Sequence, residues 1–172
     1  KEIGVAATKT FTAQTLIGLM LVLKIGRDKK LINMAESIAH MSTIQALPKQ
    51  IDSATRNSEK IASVAKKVIK FKRLLFIGKG TGYPLAMEGA LKMKEISYLS
   101  AEGVASGELK HGTIAMIDDE TLTVSTILKE SEVKSLSGLE EISSRNGKFI
   151  VLCSKGATSK LTNPSNCISE IE

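Results

Sequence analysis

The stretch RLLFIGKGTGYP, residues 73–84, decides the fold class. It opens with a short, continuous apolar run that ends in a group of glycines. Such a run is typical of a buried strand in a parallel sheet. Pro84 stands where the first residue of a helix is expected, and the helix is predicted to run to about Tyr98. The stretch therefore predicts a strand, a turn at the carboxyl edge of a sheet, and a helix.

The rest of the chain after residue 73 continues this alternation of strand and helix. The patterns predict strands near 101–105 and 121–128, a strand in KFIVLCS (148–154), a last strand near 167–171, a helical turn at 107–110, and a helix near 130–145. Alternating elements of this kind form an open α/β sandwich with a mostly parallel sheet. We therefore assign residues 71–172 to one α/β domain.

Residues 1–70 are predicted to be almost entirely helical. After a loop at 1–9, helices are expected at about 10–25, at 30–46 (ending before Pro48), and at 49–70. The most apolar run, TLIGLMLVLKIG (15–26), is too short to span a bilayer and predicts a largely buried core helix. We interpret residues 1–70 as a helical arm or linker, and no membrane association is expected.

Composition limits the possible partners. The net charge is +6, but only 3% of the residues are aromatic, so platforms for stacking nucleic-acid bases are nearly absent. Of the anionic partners that the net charge allows, a phosphorylated small molecule is favoured over a nucleic acid. Cys153 and Cys167 lack CxxC spacing and the two histidines are far apart, so neither a metal site nor a cofactor is predicted. The absence of a targeting signal and the two cysteines, read as reduced and structural, favour the cytoplasm.

The GKGTGYP turn admits two interpretations. Its glycines would let backbone N–H groups approach a phosphate at the start of the helix. However, the GxGxxG pattern is absent because Tyr83 and Pro84 occupy its last positions, and no GK[ST] follows. A tight structural turn is the plainer interpretation, with a minor role beside a sugar site as a further alternative.

The next helix carries three charged residues on one face. Glu88, Lys92 and Glu95 are spaced so that their directions fall within about 60° of one another. They form either a surface ion-pair stripe or an acid/base site. Their neighbours are small and apolar, so packing on the sheet is expected to hide most of this surface.

His111 follows in the segment GELKHG, between a lysine and a glycine. Histidine is the side chain best suited to exchange a proton near neutral pH. A carboxylate that moves a proton between adjacent carbons, a histidine that opens a sugar ring and a lysine that stabilises an enediolate would together serve a sugar isomerase. The spacing makes this chemistry coherent without establishing it.

These motifs resemble a known family. The segments EIGVAATKTFTAQ (2–14), YPLAMEGALKMKEISY (83–98) and AEGVASGELKHG (101–112) resemble the isomerase part of the glutamine–fructose-6-phosphate aminotransferases. The first resembles the end of that family's first sugar-isomerase (SIS) subdomain, and the others resemble the core of its second. The resemblance implies a flavodoxin-like SIS fold that binds sugar phosphates and converts fructose 6-phosphate and glutamine-derived ammonia into glucosamine 6-phosphate.

The resemblance also implies roles for individual residues. Glu95 corresponds to the base of the ketose–aldose step, and His111 to a ring-opening histidine that is lent across a homodimer interface. Lys92 and Glu88 correspond to groups that support the intermediate and the proton relay. Two further residues, Val5 and Ala7, match positions that line the sugar site, although many relatives have serine at the position of Ala7.

Several parts of that family's proteins are not found in this sequence. These are the glutaminase domain, most of the first SIS subdomain with its phosphate loops, and the C-terminal tail with its Schiff-base lysine. We therefore expect a fragment that is inactive alone, with residues 1–70 holding the end of the first subdomain and a linker, and 71–172 a truncated second subdomain. The alternatives are an SIS-type glucosamine-6-phosphate deaminase, a non-catalytic sugar-phosphate sensor and a dimerisation module.

Overall fold

A computed structural model describes residues 3–153, 157–161 and 164–171. The chain divides into two compact units, Lys1–Lys60 and Ile61–Glu172. The first two residues of the predicted loop, and Ser154 at the end of a predicted strand, lie outside the described residues. The remaining predicted strands and the alternation of strand and helix are present in the second unit.

The first unit is a pair of helices, α1 (Lys9–Asp28) and α2 (Met34–Thr55). The first turn of α2 is closed by a capping box: the side chain of Asn33 accepts the N–H of Glu36, and the Glu36 carboxylate accepts the N–H of Asn33. The prediction that α1 is largely buried is wrong within this unit, where Leu23 is its buried residue. In a pair of helices, each helix covers only one side of the other, so most of α1 stays exposed. No helix within the described ranges has the length and apolarity needed to cross a membrane.

The predicted break at Pro48 is also wrong. Helix α2 continues through Pro48 to Thr55, so the residues from 49 to 55 do not belong to a separate helix. A proline inside a helix removes one hydrogen bond, yet α2 is continuous on both sides of it. Ile44, Leu47 and Ile51 line one groove together with Pro48 and α1, so this apolar surface continues across the break expected from local sequence.

The second unit is built on a five-stranded sheet with the order β2-β1-β3-β4-β5. Its strands are β1 (Arg73–Gly78), β2 (Ser100–Ala105), β3 (Thr121–Thr126), β4 (Lys148–Leu152) and β5 (Cys167–Ile171). Every neighbouring pair is parallel, where the sequence predicted a mostly parallel sheet. This is the flavodoxin-like order, in which ligands bind where the strand order reverses, here between β1 and β3.

Helices cover both faces of the sheet and make three layers. On one face, α3 (Ser58–Val68) and α4 (Gly82–Ser97) pack their residues Val64 and Ala90 against Leu74 and Leu122. On the other face lie α5 (Glu132–Ser143) and a 3₁₀ turn, Ser106–His111, that follows β2. The two apolar clusters are separated by the sheet, as expected for an α/β sandwich.

The turn from β1 into α4 is closely packed. A Cβ added to Gly78 would lie 2.1 Å from the carbonyl oxygen of Gly82, so only glycine fits at the end of the strand. Helix α4 begins at Gly82, which makes Pro84 its third residue rather than the predicted first. Proline is tolerated there because the first four N–H groups of a helix have no partner within it.

Candidate active site

Helix α4 brings Glu88, Lys92 and Glu95 into one ionic cluster, called here the α4 triad. The Nζ of Lys92 lies 2.6 Å from Oε2 of Glu95 and 3.5 Å from Oε1 of Glu88. The spacings of three and four residues place the side chains on adjacent turns of the same face. The structure therefore confirms the shared face that the sequence predicted.

The α4 triad points away from the sheet. The residues of α4 that are buried, Ala86 and Ala90 together with Gly82, lie on the opposite side of the helix. The triad side chains keep 19–31% of their accessible surface. Most of each side-chain surface is therefore covered, as the sequence predicted, while the small residues of α4 make the close contact with the sheet. The triad is left facing outward.

Electrostatic pairing stabilises the charged form of Lys92. The hydrogen bond to Glu95 raises the pKa of Lys92 above its ordinary value of 10.5, with smaller contributions from the charges of Glu88 and Glu95. Lys92 therefore stays protonated at neutral pH. A fixed positive charge beside two carboxylates is suited to stabilising negative charge that develops on a bound molecule.

Exposed apolar side chains border the α4 triad on both sides. Leu91 and Met87 lie along one edge of the stripe, and Leu85 and Ile96 along the other. Because charged groups with an apolar border gain strength when water is excluded, the outer face of α4 has the make-up of a site that another surface covers.

His111 lies apart from the α4 triad. It is an exposed residue at the end of the 3₁₀ turn that follows the carboxyl end of β2. Glu95 lies in the last turn of α4, which starts at the carboxyl edge of the sheet and runs back toward the amino edge. Within the described ranges His111 makes no hydrogen bond or ion pair with the triad. Within one copy of this unit, the triad residues pair with one another and His111 lies on a separate element.

The two residues predicted to line a sugar belong to the first unit. Val5 and Ala7 lie in the segment before α1, where Val5 is exposed and Ala7 is half-buried. The cysteines carry no reactive thiolate, since burial raises the pKa of Cys153 to about 12 and also raises that of Cys167. Among the described residues, no group of three His, Cys, Asp or Glu is placed to hold a metal ion.

A cavity lies at the carboxyl edge of the sheet, and the sequence pointed to only one part of its lining. It has a volume of about 420 Å³ and is lined by Lys79 and Gly80 of the glycine-rich turn and by residues 129–134 at the start of α5. Thr81 donates a hydrogen bond to Glu130 at its border. The sequence singled out the glycine-rich turn, but the basic residues Lys129 and Lys134 gave no signal because their strand–helix junction carries no recognisable motif.

With this geometry in place, comparison with known proteins identifies the family. The family model described as the SIS domain matches residues 67–169. The chain belongs to the SIS domain family. The match includes strands β1 to β4 and the first half of β5, helices α4 and α5, the α4 triad and His111.

Curated relatives of this SIS domain chain are named glutamine–fructose-6-phosphate aminotransferase [isomerizing]. The protein of that name from Mesorhizobium japonicum is 40% identical over 159 residues, which is 91% of this chain and 26% of the relative. The one from Idiomarina loihiensis is 41% identical over 161 residues, or 92% and 26%. The chain thus spans about a quarter of the length of these relatives.

Solved structures agree on the SIS fold. The C-terminal domain of glucosamine-fructose-6-phosphate aminotransferase from Francisella tularensis superposes with a TM-score of 0.93 at 33% identity, covering 100% of this chain and 49% of that one. Glucosamine-6-phosphate deaminase from Thermotoga maritima superposes with a TM-score of 0.67 at 21% identity, covering 91% and 44%. The second likeness indicates a common fold and no more.

Proposed function

We propose that this chain is part of the isomerase domain of an enzyme that makes glucosamine 6-phosphate from fructose 6-phosphate and glutamine-derived ammonia. The observation that carries the proposal is the α4 triad, a carboxylate held 2.6 Å from a lysine whose pKa is raised, on an outward face with an apolar border. The names of the curated relatives favour this reaction over the deaminase and sensor alternatives.

In this proposal Glu95 moves the proton between the adjacent sugar carbons of the ketose–aldose step. The ion pair with Lys92 orients its carboxylate, and the lysine charge opposes the negative charge that develops on the enediolate. Glu88 lies on the other side of Lys92 and completes the relay. No cofactor is required, because the proton is both taken and returned by side chains of the protein.

His111 opens the sugar ring in the active site of a neighbouring copy, so that the working unit is a homodimer. Its exposure and its distance along the fold from Glu95 support this arrangement. Val5 and Ala7 line the sugar from the segment before α1. Ala7 has no hydroxyl group, so a side-chain hydrogen bond to the sugar is absent at that position.

The remaining functions lie in other parts of a longer protein. Residues 1–70 are the end of a first SIS subdomain and a helical linker, and residues 71–172 are a second SIS subdomain. A glutaminase domain supplies ammonia, consistent with relatives about four times as long. The two free cysteines suit a reducing compartment, the cytoplasm. The 172-residue chain alone is expected not to turn over substrate.

The test is Glu95→Gln in the longer protein. Binding of fructose 6-phosphate should persist while isomerisation falls by at least about 10²-fold, since general base catalysis contributes roughly that much or more. The matched control is Glu59→Gln, which removes the same charge from α3, in the first turn of that helix, and should leave the rate unchanged. Turnover that survives Glu95→Gln would refute the assignment of the base.

A further inference from the structure

The turn between α5 and β4 contains an asparagine in an unusual backbone conformation. Asn146 adopts the left-handed region, with φ of 60°. Its N–H donates to the carbonyl of Ser143 at 2.9 Å, and the N–H of Gly147 donates to the carbonyl of Ile142 at 3.0 Å. This pair of bonds is a Schellman motif that ends the helix. Asparagine is among the few residues with a side chain that tolerate this conformation.

An asparagine followed by glycine is chemically labile. The backbone nitrogen of the glycine attacks the Cγ carbon of the asparagine side chain and forms a five-membered succinimide. The bond from Cγ to Nδ2 breaks, and Nδ2 leaves as ammonia with the proton lost by the backbone nitrogen. Water then opens the ring at either carbonyl to give aspartate or isoaspartate. Glycine favours this attack because it has no side chain to hinder its nitrogen.

The fold controls access to this reaction. The Asn146 side chain is exposed, but the attacking nitrogen of Gly147 is occupied by its hydrogen bond to Ile142. Gly147 is also buried: a Cβ added there would lie 2.4 Å from Cγ2 of Ile117 and 2.6 Å from Cγ2 of Ile142. The nitrogen reaches the side chain only when the turn opens.

We propose that Asn146 is a site of spontaneous deamidation whose rate is set by opening of the turn at the end of α5. Isoaspartate adds one carbon to the main chain, so the two hydrogen bonds of the Schellman motif no longer close together. Each conversion to isoaspartate therefore loosens the junction between α5 and β4. The amount of isoaspartate at Asn146 therefore depends on how often this junction has opened since the protein was made.

Other asparagines within the described ranges are less suited to the reaction. Asn33 precedes a methionine and its side chain caps α2. Asn166 precedes a cysteine, and its Nδ2 donates to the carbonyl and hydroxyl oxygens of Ser143. Asn57 precedes a serine. Each following residue has a side chain, which hinders attack by its nitrogen, so Asn146 should react first.

The experiment is prolonged incubation of the 172-residue chain in mildly alkaline buffer. Isoaspartate is located by peptide mass spectrometry and by isoaspartyl methyltransferase labelling. We expect it first at Asn146, about tenfold more slowly than in the free peptide SSRNGKF, as local opening equilibria predict. Urea below the unfolding transition should raise the rate, and Ile117→Ala, which removes the Cγ2 methyl that lies over Gly147, should raise it without urea.

Asn146→Gly is the matched control, because glycine keeps the left-handed backbone and has no amide to lose. It should abolish the isoaspartate signal at this position without lowering the melting temperature. The proposal fails if isoaspartate forms first at another asparagine. It also fails if the rate at Asn146 equals that of the free peptide, or if neither urea nor Ile117→Ala changes it.

Discussion

At the scale of single residues, the strand β3 carries two buried threonines in different environments. The residue Thr123 is 0% exposed, and its hydroxyl has no hydrogen-bond partner among the residues that the structure describes. Thr121, two residues earlier on the same face, lies 2.8 Å from the carbonyl of Met116 and accepts a hydrogen bond from Nε of Arg73. The unpaired hydroxyl of Thr123 therefore lowers the free energy of unfolding, whereas the hydrogen-bonded hydroxyl of Thr121 raises it.

We predict that Thr123→Val raises the free energy of unfolding by about 1 kcal/mol, because it replaces an unsatisfied hydroxyl by a methyl group of similar size. Thr121→Val should lower it by about 1–3 kcal/mol, since its partners are left unpaired. Urea denaturation of both variants measures the difference. A loss of stability in Thr123→Val would mean that its hydroxyl has a partner, such as an ordered water.

Within the α4 triad, the two carboxylates contribute unequally to the raised pKa of Lys92. Because the bond to Glu95 is the largest cause of the raised pKa of Lys92, Glu95→Gln should lower this pKa toward 10.5, and Glu88→Gln should lower it less. The Lys92–Glu95 pair stabilises the folded state at pH values below the pKa that lysine has in the unfolded chain. This stabilisation is lost as the pH rises through the higher pKa that Lys92 has in the folded chain. NMR titration of the lysine side chain measures both variants. Equal shifts would contradict the 2.6 Å pairing with Glu95.

The sequence predicted the composition of the triad but not its direction. A rotation of 100° per residue is enough to place Glu88, Lys92 and Glu95 on one face. Which face meets the sheet depends on packing distance, and here Ala86 and Ala90 permit the closest approach. Large apolar residues such as Leu91 and Ile96 remain exposed, so hydrophobicity alone does not show which face of α4 meets the sheet.

At the scale of elements, the tightest constraint lies between β1 and α4. Gly78→Ala should destabilise the second unit by at least about 3 kcal/mol, because its Cβ would overlap backbone that cannot move without shifting the helix. Gly138→Ala within α5 is the control: its Cβ meets nothing within 4 Å, and alanine favours a helix by about 1 kcal/mol. In thermal unfolding, Gly78→Ala should lower the melting temperature and Gly138→Ala should raise it. A folded Gly78→Ala of normal stability would show that this turn adapts.

The elements also show where local rules succeed. The run at 73–78 predicted β1 because a strand buried on both faces needs continuous apolar residues, and this property is visible in the sequence. The end of α2 was not predictable in the same way. Pro48 is a helix breaker by local rules, whereas the groove that Leu47 and Ile51 line together with α1 depends on a neighbour that no local pattern reveals.

At the scale of the whole molecule, the position of His111 has a consequence for catalysis. In a homodimer that lends this histidine, each active site combines Glu95 of one subunit with His111 of the other. Glu95→Gln and His111→Ala would each inactivate the longer protein when present alone. A mixed dimer of the two variants would contain one site with both residues intact and one site with neither.

Co-expression of the two variants in the longer protein, with different affinity tags, therefore isolates the mixed dimer. We expect about half the wild-type rate per dimer, since one of its two sites is complete. If His111 served its own subunit, each site would lack one residue and no activity would return. Recovery in the mixed dimer, with none in either variant alone, would explain why a single copy of the fold holds the α4 triad and His111 apart.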